Sequence, residues 1–262
     1  MNIVVCIKQV PDTTEVRLDP VTGTLIRDGV PSIMNPDDKA GLEAALRLRE
    51  KYGGHVTALS MGPPQAATMM REALAMGADR AILLGDRAFA GSDTLATSSA
   101  IAAAIRKLDY DIVITGRQAI DGDTAQVGPQ IAEHLSIPNI SYAQEITPSE
   151  DRASVTVKRV FDDRYQMQRV KLPCLLTALS ELAEPRYLSP GRVFDAWREM
   201  KVENWTSADL DINPAVLGLK GSPTRVKKSF PKAVKPAGAV IRLEGREAAE
   251  AVLRKLKENF IL

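Results

Sequence analysis

Apolar residues in the first half of the chain fall in short unbroken runs separated by helix-spaced segments. Asn2–Ile7, His55–Ser60, Ala81–Leu84 and Ile112–Thr115 are such runs, and each predicts a strand buried on both faces. Between the first two, Asn35-Pro36-Asp37-Asp38 opens a helix: Asn35 as cap, Pro36 at the first helical position, two aspartates at the positive end. Leu42, Ala45, Leu46 and the stem of Arg49 share one face of it, and Gly53-Gly54 ends it. Met61-Gly62-Pro63-Pro64 turns into a helix reaching about Met76. Asp93-Thr94 begins another, with Ile101, Ile105 and Leu108 on one face, and a further helix runs from Ala125 to Leu135. Pro11–Val30 carries turn signals at Asp19-Pro20, Thr22-Gly23 and Asp28-Gly29 and reads as a loop or hairpin. This βαβα order predicts an α/β fold with a doubly wound, mostly parallel, Rossmann-like sheet joined by right-handed crossovers.

The texture changes after Pro138. Val155–Val160 and Gln166–Lys171 predict an antiparallel hairpin about Asp162-Asp163, and Leu172–Leu179 returns to an apolar strand. From Glu184 proline, charge and tryptophan replace the core pattern until an amphipathic helix over Arg246–Asn259. The expected division is therefore an α/β domain over 1–183, including the hairpin 153–172, and an extended C-terminal arm over 184–262 that packs on another chain.

Composition narrows the classes. With 262 residues, 45% of them hydrophobic, the chain can bury a sizeable core. Lysine and arginine number 34 against 33 acids, a net charge of +1 that suggests neither nucleic acid nor a membrane surface as partner. No run is long enough for a transmembrane helix, and MNIVVCIKQV is too short and polar for a signal peptide. Cys6 and Cys174 lie far apart in apolar runs and read as reduced core thiols of a cytoplasmic protein; with His55 and His134 they offer no metal spacing. No nucleophile stands with a base, so no catalytic residue is assigned.

The candidate chemistry lies in Gly116–Gly128, GRQAIDGDTAQVG. A strand that stops at a glycine, crosses a polar loop and enters a helix leaves several backbone N–H groups unpaired at one place, where α/β sheets bind phosphate. The run is neither G-x-x-x-x-G-K-[ST] nor G-x-G-x-x-G. Asp121-Gly122-Asp123 reads as a tight turn, Thr124 as the cap of the next helix, and the amides of Asp123 to Val127 as the phosphate donors. Asp121 and Asp123 sit badly beside phosphate and read better as acceptors of loop N–H bonds or partners of ribose hydroxyls. Arg117 reads as a screen for phosphate charge or as a solvated arginine. A plain capped helix behind an acidic turn explains the same residues, and both readings stay open. Cys6, Asn35 with Asp38, and Met61-Gly62 belong to strand ends on the same carboxyl edge; Asp93-Thr94, with Thr97 a turn on, adds amides and hydroxyls. A nucleotide site without hydrolytic groups points to a retained or redox nucleotide.

Several of these segments, in this order, resemble the β (small) subunit of electron transfer flavoproteins, the FixA-type family. They are VVCIKQVPD, MNPDD, MGPPQA, REALAMGADRAILL, GRQAIDGDTAQVG and KLPCLLTALSELAEPRY, and together they cover essentially the whole chain. Asp163-Arg164 depart from the Gly-Gly that the family often has in its signature hairpin. The resemblance implies a heterodimer with the α (large) subunit, which carries the electron-transferring FAD. It implies a nucleotide in this subunit held by Cys6, Asn35, Pro36, Asp37, Asp38, Met61 and the loop Gly116, Arg117, Gln118, Ala119, Ile120, Asp121, Gly122, Asp123, Thr124, Ala125, Gln126 and Val127. Glu184, Pro185, Arg186, Tyr187 and Leu188 resemble the recognition loop that docks on partner dehydrogenases. The nucleotide is AMP in ordinary members and a second FAD in an electron-bifurcating branch. SDTLATS at Ser92–Ser98, the run GRQAIDGDTAQVG and GSPTRVKKSF from Gly221 resemble that branch, so Asp93, Thr94, Thr97, Ser222 and Thr224 join the expected FAD contacts, with Gly62 beside Met61 at its strand end. The expectation is then that NADH delivers a hydride to this FAD, and that electrons divide between the large-subunit FAD, leading to an acyl-CoA dehydrogenase, and ferredoxin or flavodoxin. Structural AMP is the alternative, and an ATP-using enzyme or nucleotide sensor is a remote one.

Overall fold

The computed structural model describes residues 1–12, 17–18, 25–26, 31–225, 238, 240 and 242–262. They form two compact units, Met1–Lys228 and Ser229–Leu262.

The first unit opens with strand β1 (Asn2–Cys6), then β2 (Gln9–Pro11), β3 (Arg17–Leu18), β4 (Leu25–Ile26) and β5 (Ser32–Met34). β2 pairs with β5 and β3 with β4, both antiparallel, so the segment read as a loop or hairpin contains short strands; its three turn signals lie outside the described residues. Helix α1 (Pro36–Tyr52), β6 (His55–Met61), α2 (Ala67–Met76), β7 (Arg80–Leu84), α3 (Thr94–Ile105), β8 (Ile112–Gly116) and α4 (Val127–Leu135) follow. Then come β9 (Asn139–Pro148), β10 (Ser154–Val160), β11 (Tyr165–Lys171), β12 (Cys174–Ala178), α5 (Pro190–Arg198), β13 (Val202–Trp205) and α6 (Gly218–Gly221).

Nine strands make one sheet in the order β11-β10-β9-β12-β8-β1-β6-β7-β13. From β9 to β13 every pairing is parallel; β10 and β11 add the antiparallel hairpin that the sequence predicts. The apolar runs are continuous because both faces are covered. Along β1, Ile3 and Val5 enter a core shared with α1 and α2, whereas Val4 and Cys6 enter one shared with α3 and α4. β8 and β12 divide the same way: Ile112, Ile114, Cys174 and Leu176 face the first core, Val113 and Leu175 the second. The chain leaves β1 toward β6 and β7, then returns to place β8 on the other side of β1. That reversal is the topological switch point, where doubly wound sheets open a crevice at the carboxyl ends of their strands.

Three features depart from the sequence reading. β9 has no apolar run, since its first half pairs parallel with β12 and its second half antiparallel with β10, and left-handed Tyr142 (φ 62°) breaks its alternation. The boundary expected at 183 does not end the compact unit. β13 joins the sheet beside β7, held by Arg80, whose guanidinium donates to both Glu203 oxygens at 2.6 and 2.7 Å. α5 is a helix where only an extended arm was expected. The second unit holds α7 (Gly245–Glu258), matching the predicted final helix; Ala249, Val252 and Leu256 share a face by spacing, and none of its residues is buried.

Candidate functional site

A cavity of about 790 Å³ lies over the carboxyl ends of β8, β1, β6 and β7. Its size falls in the upper part of the range for small-molecule sites, about 300–1,000 Å³.

The loop after β8 forms one end. Thr124, Ala125, Gln126, Val127 and Gly128 all line the cavity, and among the described residues their five amides make no hydrogen bond. Asp123 (φ 49°) and Ala125 (φ 52°) are left-handed without being glycine, which turns successive N–H groups toward one concavity. α4 starts at Val127 rather than Ala125, and Gln126, not Thr124, occupies its cap position, with no side-chain cap bond. The donors therefore belong more to an irregular nest than to a capped helix start. Such a set fits the phosphates of a nucleotide.

Two buried residues of the α1 entrance hold this loop. Asn35 stands at the N-cap position of α1 but makes no cap bond there. Fully buried, its carboxamide reaches across to the loop, donating from Nδ2 to Gln118 O (2.9 Å) and accepting at Oδ1 from Ile120 N (3.1 Å). Asp38 accepts from Lys8 N and Gly116 N, both at 2.8 Å, and so joins the ends of β1 and β8. Burial pushes its carboxyl up to about 7 against the bonds it accepts, and nearby Asp37 adds to the rise. A Cβ on Gly116 would lie 2.2 Å from Asp38 Oδ1, so close approach rather than a special φ demands glycine there. Burial also raises the Asp37 carboxyl, and Arg117, 3.6 Å away, lowers it. Burial raises the Cys6 thiol, helped by Asp38, so Cys6 is an inert wall of the cavity.

The loop acids do not bond the backbone amides as expected. Asp121 accepts from Lys8 Nζ at 2.7 and 3.0 Å, and Asp123 accepts from Gln118 Nε2 at 2.9 Å. Both are turned to side chains outside the phosphate nest, and neither lines the cavity. Arg117 lines it and keeps a buried Nε without a hydrogen-bond partner.

The other end is built by β6, β7 and α3. Of the expected contacts, Cys6, Asp38, Met61, Gly62, Asp93, Thr94, Thr97, Gly116, Arg117, Gln118, Ala119, Gly122, Thr124, Ala125, Gln126 and Val127 line the cavity. Asn35, Pro36, Asp37, Ile120, Asp121, Asp123, Ser222 and Thr224 do not. Asp93 caps α3 through Ala96 N and accepts from Thr224 N and Oγ1, while its own amide donates to Ser222 Oγ. Burial works to raise Asp93, but these bonds outweigh it and hold the carboxyl below its ordinary value. Ser222 and Thr224 thus fasten the chain after α6 to the start of α3. Thr94 Oγ1 donates to Gln126 Oε1 at 2.9 Å, linking α3 to the loop. Lys8, Pro63, Pro64 and the turn 85–91, apart from Ala88, also line the cavity and were missed. Their signal was available: each directly follows a predicted strand at the same edge.

Of the docking segment, Arg186 is committed within the chain. It donates from Nε (2.8 Å) and Nη2 (3.1 Å) to Glu43 and from Nη1 to Glu50 (2.6 Å). Tyr187 is 99% exposed, and Leu188 is exposed as well.

Among the described residues, no group of three or more His, Cys, Asp or Glu is placed to hold a metal ion, and no helix is long and apolar enough to cross a membrane. A family model described as electron transfer flavoprotein domain matches residues 22–210. The chain is 60% identical to an electron transfer flavoprotein subunit beta of Clostridium acetobutylicum over 259 residues, 99% of each chain. It is 51% identical over 265 residues, 100% of each, to caffeyl-CoA reductase-Etf complex subunit CarD of Acetobacterium woodii. Protein FixA of Azorhizobium caulinodans shares 46% identity over 267 residues, 98% of this chain and 94% of the relative.

Proposed function

We propose, for a chain that belongs to the electron transfer flavoprotein β-subunit family, that it acts in a heterodimer with the large subunit and holds a FAD of its own. The ADP half would rest on the amides of Thr124 to Gly128 and the remainder in the part bordered by Met61, Gly62, Asp93, Thr94 and Thr97. The observation that carries this reading is the cavity's span. Its lining runs from the end of β8 to the end of β7, three strands away, about 14 Å at the usual strand spacing. A mononucleotide on the loop leaves the β7 end unused.

When bound, such a flavin would take a hydride from NADH and divide its electrons between the large-subunit FAD, with an acyl-CoA dehydrogenase beyond it, and ferredoxin or flavodoxin. The chain's own residues orient and enclose it. Asn35 and Asp38 set the loop, Arg117 borders it with its charge beside Asp37, and Cys6 and Met61 form an apolar wall. The name of CarD places that relative in a complex with a reductase of a CoA thioester, which supports a dehydrogenase of that kind as partner here. The exposed Tyr187 and Leu188 suit docking on it, and the apolar face of α7 suits the large subunit.

Structural AMP is the second reading, favoured by one observation. Asp93, Ser222 and Thr224, expected to bind the flavin, bond one another instead. Anaerobic titration of the heterodimer with NADH separates the two: rapid bleaching of flavin absorbance supports the first, and a spectrum unmoved by NADH supports the second.

A further inference from the structure

Six charged side chains line the cavity: Lys8, Asp38, Asp86, Arg87, Asp93 and Arg117. Five have partners. Lys8 pairs with Asp121, Arg117 with Asp37, and Asp38 takes the amides of Lys8 and Gly116. Asp93 takes Ala96 and Thr224, and Asp86 takes Ala88 N together with Ser207 N and Oγ. Among the described residues the Arg87 guanidinium has no ion pair, hydrogen bond or ring contact. Its backbone is nonetheless fixed. Asp86 and Ser207 clamp the turn on one side, Leu219 N bonds Ala90 O (3.0 Å) on the other, and Phe89 is buried beneath it.

Arg87 follows β7, whereas the amide nest follows β8. With β1 and β6 between them, the two anion-seeking features stand about 14 Å apart at the strand ends. One pyrophosphate cannot reach both. A guanidinium is the side chain best matched to phosphate oxygens, which it meets with two parallel N–H bonds.

We infer that Arg87 receives the phosphate of a second, exchangeable nucleotide, a pyridine dinucleotide that enters beside the retained one. This rests on the reading above that the retained nucleotide is redox-active and is reduced by NADH. Arg87 then sets affinity for the donor, and the loop sets retention of the flavin.

The test uses the complete heterodimer carrying Arg87→Gln or Arg87→Lys, with NADH reduction followed by stopped-flow absorbance. Arg87→Gln should raise the apparent Kd for NADH about 10- to 100-fold, the span of a charged hydrogen-bonded contact, with flavin content and the limiting reduction rate held. Arg87→Lys should recover part of the affinity, keeping charge but not the fork. An unchanged NADH Kd in Arg87→Gln overturns this inference alone, and so does loss of the retained flavin, which would assign Arg87 to that ligand. A wild-type heterodimer that NADH does not reduce overturns both this inference and the reading beneath it.

Discussion

Asn35 Nδ2 donates to the carbonyl of Gln118 across 2.9 Å, joining the start of α1 to the loop after β8. Its Oδ1 closes the contact by accepting from Ile120 N. A helix cap has become a strut for the loop after β8. Asn35→Leu removes both bonds in a fully buried position and should destabilise the fold by about 1–3 kcal/mol. Because the loop loses its brace, nucleotide affinity should fall more steeply than stability. Equilibrium dialysis beside urea unfolding checks this; equal losses in both would make Asn35 merely structural.

Two loop glycines should behave oppositely. Gly116→Ala places a methyl 2.2 Å from Asp38 Oδ1 and must separate the ends of β1 and β8, costing about 1–3 kcal/mol or more. Gly122 has no atom within 4 Å of a built Cβ and is not among the positive-φ glycines, so Gly122→Ala should unfold within about 0.5 kcal/mol of wild type. Paired denaturation curves decide it.

Asp38 makes stability depend on pH in an unusual direction. Its folded carboxyl titrates near 7, above the unfolded value, so the native state keeps a proton that the unfolded state releases. The contribution is complete below about pH 4 and is lost as pH rises toward and through 7, at up to about 1.4 kcal/mol per pH unit. Asp38→Asn cannot titrate. The stability of wild type relative to this variant should decline from pH 5 to 8 in urea titrations; a constant difference would contradict the assignment.

The docking segment should divide between anchor and contact. The Glu43 side chain is only 2% exposed and is held ionised by Arg186 and Arg47: burial works to raise its carboxyl, and their bonds bring it below the ordinary value. Arg186→Ala removes one of the two guanidinium partners and should cost on the order of 3 kcal/mol. Tyr187→Ala should leave stability unchanged and weaken binding of the partner dehydrogenase, measured by calorimetry with the heterodimer.

Much of this was legible. Runs such as Ile112–Thr115 are apolar on both faces, so they announce buried parallel strands, and the glycine at the end of β8 marks the site. What escaped notice depends on contacts distant in sequence. Nothing local in Asn35-Pro36-Asp37-Asp38 says that the Asn35 carboxamide bonds residues 118 and 120 instead of capping its helix. β13 reads as a charged linker because Glu203 faces Arg80, far back in the chain. Lys8 and Arg87 stand just past predicted strands, which marks the edge of the sheet, but an exposed cation there acquires a role only when the cavity it borders is known.

The nucleotide content of the purified heterodimer tests the central claim most directly. Denaturing release followed by chromatographic quantification should yield two FAD per heterodimer and no AMP. One FAD and one AMP would contradict it, and would leave the β7 end of the cavity without its proposed occupant.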